Sequence, residues 1–271
     1  MCLHVSHSCR LCLAAFLVLA LSFAPRGATL EVPSKEHPDI GRALSKAKKG
    51  DTVLVAKGVY RESFSVGSGI TLLSKERFGA RIDGGGAEKV ITLVNNAALV
   101  GFDVSSGTIG VYSGGHGNRI IQCLVHGNTQ TGIMCVGHLP TIEDNVVVYN
   151  EGSGIQGWDV RSTVSAVAHN TIAYNGNHGI SLGGNSQLFL ENNILAFNEK
   201  MGMKVEPQVK VTLRRNCFFG NTEIFESFPS DNFAFDPLFV APRKMNFKLA
   251  KGSRCHNMGT DNQDLGARLG D

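Results

Sequence analysis

Seven side chains in the middle of the chain carry most of the chemistry this sequence offers. Tyr112, His116, His138, Trp158, Asp159, Arg161 and Lys204 recur at related places in a repeating stretch, and Trp158 is the only tryptophan of the 271 residues. A sugar site needs such a mixture: an aromatic plane for the apolar face of a pyranose and a few fixed polar groups for its hydroxyls. His138 and Asp159 form the sharpest pair. On adjacent turns of one structure Asp159 would orient His138, and an oriented imidazole can take the C5 proton of a uronic acid. Tyr112 or Lys204 would assist, and Arg161 would neutralise the sugar carboxylate so that this proton becomes acidic. The expected catalytic set is therefore His138, Asp159 and Tyr112, with Trp158, Arg161, His116 and Lys204 binding substrate. The plainer alternatives are solvated loop histidines and a Trp158 packed at an edge.

A repeat must position these groups. A Gly–apolar pair returns at Gly110–Val111, Gly132–Ile133, Gly154–Ile155, Gly179–Ile180 and Gly202–Met203. One column reads Ser106, Asn128, Asn150, Asn175, Asn198 and Asn221, in steps of 22, 22, 25, 23 and 23 residues. A second, five residues earlier, reads Gly101, Cys123, Asn145, Asn170, Asn193 and Asn216. A period in this range means a solenoid. No unit holds an amphipathic helix of about ten residues, and the leucine-rich spacing is absent. Three short strands per coil remain, stacked into parallel sheets with equivalent residues about 4.8 Å apart.

The columns then acquire physical meaning. Ile120, Ile142, Val167, Leu190 and Leu213 form one inward stripe, and Val125, Val147, Ile172, Leu195 and Phe218 another. Tyr149, Tyr174 and Phe197 are expected to stack. The Asn columns fall at bends, where Asn tolerates left-handed backbone and where amide can bond to amide between coils. The recurrent Gly also suits a bend. Alternation places Tyr112, Met134, Gln156, Ser181 and Lys204 in one outward column, and Gly114, Val136, Trp158, Gly183 and Glu206 in the next. His116, His138, Asp159, Arg161 and Asn185 come just past these strands.

An open stack needs caps. Residues 39–49 (DIGRALSKAKK) predict a short helix with Asp39 as N-cap and Gly50 as its stop. Residues 225–271 are richer in Phe, Pro and charge and are expected to close the last coil. The organisation expected is a signal peptide over 1–28, an N-terminal cap over 29–50, coils over 51–224 and a C-terminal cap over 225–271. In the leader Arg10 precedes an apolar run, residues 11–23, of secretory rather than membrane-spanning length. The mature chain is therefore expected to be secreted or periplasmic, with no membrane contact after signal removal.

The run GDTVLVAKGVYRE, within residues 40–62, resembles the opening of right-handed parallel β-helix proteins of the pectate-lyase-like superfamily. LVGFDV, NGNHGISL and the closing phrases DPLF, FKL, GS and DLGA fit the same repeats. The resemblance covers nearly all of residues 29–271. It implies an all-β, right-handed parallel β-helix whose ligands lie along one exposed sheet, with a polysaccharide as partner. Lyases, hydrolases, epimerases and non-catalytic members share this fold, so the fold leaves the activity open. The calcium-binding Asp clusters and paired Arg segment of true pectate lyases are missing.

Several other groups compete for attention. Asp144 and His169 share a column with Gln122, Asn192 and Arg215; they line a second face or satisfy each other at a bend. His116 and His138 would chelate a metal only with a third ligand, and none is evident. Glu143 and Glu191 stand two coils apart, at the spacing of inverting glycosidases rather than of a tight pair. Cys2, Cys9 and Cys12 leave with the leader. Cys123, Cys135, Cys217 and Cys255 read as buried free thiols, and spacing alone does not derive a disulfide. A net charge of +3 without a basic cluster argues against nucleic acid. No cofactor is expected, with a divalent cation such as calcium left open, and the chain is expected to be a monomer.

Three classes of function remain. The chain is an exported protein that binds an acidic polysaccharide and, if catalytic, processes it by elimination or epimerisation. Alternatively it is a non-catalytic scaffold or adhesive β-helix. The third reading is a periplasmic metal-accessory protein resembling the copper-linked β-helix proteins of nitrous-oxide reductase maturation, for which Met134 beside His138 would count.

Overall fold

The structure, a computed structural model, describes residues 27–161, 165–222 and 231–270. The expected leader lies almost wholly outside the described residues. Three parallel sheets run the length of the molecule. The first has nine strands, from Thr29–Val32 to Lys210–Arg214. The second has eight, from Gly58–Tyr60 to Cys217–Phe219, and the third seven, from Phe64–Val66 to Met203–Val205. Each coil visits them in that order, as in Arg119–Ile121, Leu124–His126 and Thr131–Val136.

Strand alternation sends one stripe from each sheet inward. Ile120, Ile142, Val167, Leu190 and Leu213 are register partners, as are Val125, Val147, Ile172, Leu195 and Phe218. The third sheet adds Val111, Ile133, Ile155, Ile180 and Met203. All but Leu213 are buried. Each stabilises the stack by about 1.5–3 kcal/mol through apolar burial. The aromatic column forms as expected: Tyr149–Tyr174 and Tyr174–Phe197 ring centroids are 5.2 and 4.9 Å apart, and Phe219 extends it edge-on.

The Asn columns are hydrogen-bonded ladders. The Oδ1 of Asn150 accepts from the backbone N–H and side-chain amide of Asn128, and Asn175, Asn198 and Asn221 repeat this. The second ladder runs Asn145, Asn170, Asn193 and Asn216, and continues to Asn232, beyond the point where the repeat fades in the sequence. Three expectations need correction. The ladder asparagines are not the left-handed residues. Positive φ falls one position earlier, on Gln122, Asp144, His169, Asn192 and Arg215 in one corner and on Tyr149, Tyr174 and Phe197 in the other. The recurrent Gly does not turn the chain either. A Cβ on Gly154 would lie 2.7 Å from Ile172 Cγ2 and 2.8 Å from Gly179 O, so crowding excludes it. The first member of each polar column is also shifted by one: Leu99 pairs with Ile120 and Val104 with Val125, so Phe102 and Gly107 replace Gly101 and Ser106.

A helix, Ile40–Lys46, covers the first coil. The Asp39 carboxylate accepts from Arg42 N at 2.6 Å, and Ile40, Ala43 and Leu44 are buried. The helix ends at Ala47, before Gly50. The strand Thr29–Val32 precedes it and pairs with Thr52–Val55, so the first sheet starts inside the segment expected as cap.

The C-terminal segment does more than close the last coil. It runs back along the corner between the first and second sheets. Arg215 Nη1 donates to Met258 O, Thr260 N to Asn192 Oδ1, Gly266 N to Asn192 O and Arg268 N to Asp144 Oδ1. Arg77 donates to Asp144 O and to Arg268 O. The Asp144–His169 column is therefore structural. Glu143 pairs with Arg268 and Glu191 with Arg214, so these carboxylates also belong to the scaffold. His169 Nε2 accepts from Asn192 Nδ2 at 3.1 Å, which leaves the proton on Nδ1, a buried atom with no partner.

Two outcomes follow. Asn170→Ala strips acceptors and donors from Asn145, Asn193, Ile142 and Ala168 together, and should cost roughly 2–4 kcal/mol in urea denaturation. Burial, then the Arg268 charge, lowers the His169 pKa below 6.5 against the opposing pull of Asp144, Glu143 and Glu191. Its neutral form is favoured in the fold, so its contribution is complete above the unfolded pKa and is lost as pH falls below about 6.5 toward the folded value. His169→Gln, a residue type the same column already holds at Gln122, should flatten that loss; equal slopes in both proteins between about pH 7.5 and 5 would refute the assignment.

Candidate functional site

The outward columns of the third sheet form as the alternation requires. Tyr112, Met134, Gln156, Ser181 and Lys204 are successive register partners, and Val136 lies beside Trp158. The strip from Tyr112 to Lys204 spans roughly 19 Å at the coil spacing. Tyr112 is half-buried, with Lys89 Nζ 4.2 Å from its ring centroid. Lys89 was missed by a reading that began its columns at Gly110; its register partner Ile109 marks the place. Gln156 accepts from Thr131 Oγ1 at 2.9 Å, which fixes its amide.

At Trp158 the strand departs from regular pairing. Gly157 pairs with Leu182 and Val160 with Gly184, so Trp158 and Asp159 together oppose Gly183 in a bulge. Asp159 takes the left-handed conformation, with φ 47°. Gly184 answers it: a Cβ there would lie 2.4 Å from Val160 N. The bulge turns both side chains outward, and Trp158 is 54% exposed. Edge packing therefore does not account for it.

The same bulge separates the expected acid–base pair. Asp159 Oδ1 accepts from Arg161 Nε at 3.0 Å and Oδ2 from Arg161 Nη2 at 2.7 Å. This hydrogen bond and the charge behind it hold the guanidinium pKa above its ordinary value. Both partners are largely exposed. His138 forms no hydrogen bond with Asp159; its ring stands edge-on to His116, with centroids 6.0 Å apart. Asp159 thus orients Arg161, and His138 lacks the carboxylate a general base was expected to have. Among the described residues no group of three or more His, Cys, Asp or Glu side chains could hold a metal. The 25-residue step between Asn150 and Asn175 implies an inserted loop beside this pair, and residues 162–164 of that stretch lie outside the described residues.

Beyond Trp158 lies a cleft of about 510 Å³ lined by Asp159, Arg161, Gly184, Asn185, Glu206 and Gln208. Glu206 Oε2 accepts from Gly184 N at 3.0 Å and so is pinned across the cleft floor. Gln208 is a lining residue that the sequence reading did not name. It sits just past the strand Met203–Val205, where the repeat gives no signal.

The model of the right-handed β-helix region matches residues 90–232. The chain belongs to this family. No curated protein matches it. Among solved structures this β-helix is similar to pectate lyase Pel9A, with a TM-score of 0.55 and 14% identity, covering 89% of this chain and 96% of the other. It also matches the A-module of mannuronan C-5 epimerase AlgE4 of Azotobacter vinelandii (TM-score 0.45, 16% identity, 68% and 66% covered). A pectin methylesterase in complex with a hexasaccharide matches at TM-score 0.40 and 10% identity, with 76% and 92% covered. These likenesses are of fold.

Because its ring is mostly in solvent, Trp158→Ala should change unfolding free energy by less than about 1 kcal/mol. A loss above about 2 kcal/mol in urea titration would return Trp158 to a packing role.

Proposed function

We propose that this β-helix is exported and binds an acidic polysaccharide along the outer face of its third sheet. The observation that carries the reading is Trp158, an exposed indole set by a bulge and followed directly in the chain by Asp159, which lines a cleft with Arg161, Asn185, Glu206 and Gln208. Such a plane covers a sugar face while Asn185, Gln208 and Gln156 offer hydroxyl partners. Lys89, Lys204, Arg161, His116 and His138 give the strip more basic than acidic groups, which favours a polyanion. The fold shared with pectate lyase Pel9A supports a glycan partner. The apolar run of residues 11–23 supports export.

Binding is favoured over processing by one geometric fact: Asp159 is spent on Arg161 and leaves His138 unoriented. A lyase or epimerase needs that base held against the C5 proton.

The test is a binding screen on polygalacturonate, alginate, chondroitin and heparin, followed also by ultraviolet absorbance of unsaturated uronide and by proton NMR of C5. At least one polyuronide should bind, and Trp158→Ala should weaken it by about 10-fold. No new absorbance and no C5 inversion are expected. Product formation abolished in His138→Ala would convert the site to a catalytic one. Absence of binding to every polyanion would overturn the glycan reading.

A further inference from the structure

The imidazole of His256 is engaged at both ring nitrogens. Nδ1 lies 2.8 Å from Asp264 Oδ2, and Nε2 lies 3.0 Å from Ala250 O. Both partners are acceptors. A backbone carbonyl has no proton to give, and the Asp264 carboxylate already accepts from Asn257 N through Oδ1. A neutral imidazole carries one N–H, so it would leave one of the two contacts acceptor to acceptor. The imidazolium, with a proton on each nitrogen, satisfies both. His169 shows the contrast. Its Nε2 accepts from Asn192 and its Nδ1 has no partner, which suits the neutral ring.

We propose that protonated His256 is a pH-sensitive clasp that holds the C-terminal segment closed on the solenoid. The ring joins separate stretches of that segment. Ala250 follows the strand Asn246–Leu249, and its own N–H donates to Leu238 O. Asp264 precedes Leu265, whose side chain is buried and whose N–H donates to Cys255 O. Between His256 and Asp264 the chain loops onto the corner, where Thr260 donates through its N–H to Asn192 Oδ1 and through its hydroxyl to Glu191 Oε1. Beyond Leu265, the N–H groups of Gly266, Ala267 and Arg268 donate to Asn192 O, Thr171 Oγ1 and Asp144 Oδ1. His256 thus closes the base of a loop, and both the loop and the chain that leaves it carry bonds to the coils. Loss of one ring proton removes one of the two closing bonds and the positive charge beside Asp264.

Asp264 across the loop and Cys255 next in the chain are the titratable groups that act on the ring. Burial opposes the charge most, but the Asp264 bond, the Ala250 carbonyl and the charges of Asp264 and Cys255 together outweigh it and raise the His256 pKa above 6.5. The folded chain therefore binds this proton more tightly than the unfolded one. The clasp contributes fully below the unfolded value, near 6.5, and is lost as pH rises through the folded value. The sense is opposite to that of His169, whose contribution is lost as pH falls.

The experiment follows the full chain by proton NMR of the histidine rings and by amide hydrogen exchange. His256 in wild type should titrate above the ordinary histidine value, and Asp264→Asn should lower its midpoint by about 1 pH unit. Corrected for intrinsic exchange rates, opening at the amides of Leu265, Gly266 and Arg268 should rise about 3- to 10-fold between about pH 5.5 and 8.5. In His256→Gln, which carries no charge at any pH, opening should already be raised at the acid end and then stay level. The wild-type titration and exchange need no variant, so the proposal stays exposed to refutation even where a variant fails to fold. A His256 midpoint at or below the ordinary value, wild-type opening that does not rise with pH, or an equal rise in His256→Gln would each overturn the clasp.

Discussion

Two columns of stacked amides hold the coils from Asn128 to Asn221 at a fixed height above one another. Each Asn Oδ1 accepts from both the N–H and the amide of the Asn one coil earlier, and each Nδ2 also donates to carbonyls of its own corner. A side chain that satisfies several buried backbone groups at once costs more to remove than any single hydrogen bond is worth. The ladder therefore fixes register, and register fixes which residues face in. It also decides where the coil can vary. In both columns the step that reaches Asn170 and Asn175 is 25 residues, against 22 or 23 for the other steps between Cys123 and Asn221. The additional residues fall between Asn150 and Asn170, which is the arc that carries the third-sheet strand and its bulge. The two ladder corners tolerate no insertion, so change accumulates on the face that holds Trp158.

What the sequence displays is what the stack repeats. The period, the inward stripes, the aromatic column and the outward columns were legible because each depends on one residue type recurring at a constant height. Features that break the repeat were not. Asn was read as the left-handed residue because its propensity permits that conformation. The chain instead places Gln, Asp, His, Arg, Tyr and Phe there, with Asn only at Asn192, and uses the ladder Asn for its amide. Propensity yields because the ladder over-determines the corner. The recurrent Gly was read as a turn residue, yet its requirement is space: the same small residue answers two demands, and sequence alone does not say which. The return path of the C-terminal segment has no periodic mark at all. Only charge complementarity between Arg268 and the Glu143–Asp144 pair hints at it.

That return path explains why the third sheet is the free face. The left-handed column projects Gln122, Asp144, His169, Asn192 and Arg215 outward, because the ladder uses the next residue and leaves these side chains over. The C-terminal segment takes up four of them directly or through their neighbours. Phe247 packs on Tyr149 and Tyr174 and closes the second sheet's aromatic corner. Two corners and one sheet are thereby committed to stability. Among the described residues nothing of the C-terminal segment covers the outward columns of the third sheet, and the residues with chemistry collect there.

The chemistry of that face is constrained by the Asp159–Arg161 pair. Its exposed, bidentate geometry is specific in direction but weak in water, where solvent screens both charges. A ligand carboxylate can exchange for Asp159 on Arg161, yet the exchange replaces one carboxylate with another and changes little in Coulomb energy. On the proposed reading, net attraction for a polyanion comes from Lys204 and Lys89 at a distance, where it governs encounter rate and salt dependence. On the same reading affinity and orientation fall to the Trp158 plane, whose position depends on a bulge that only Gly184 can accommodate. The site is thus set by one local break in pairing that the ladders on either side make affordable to the fold.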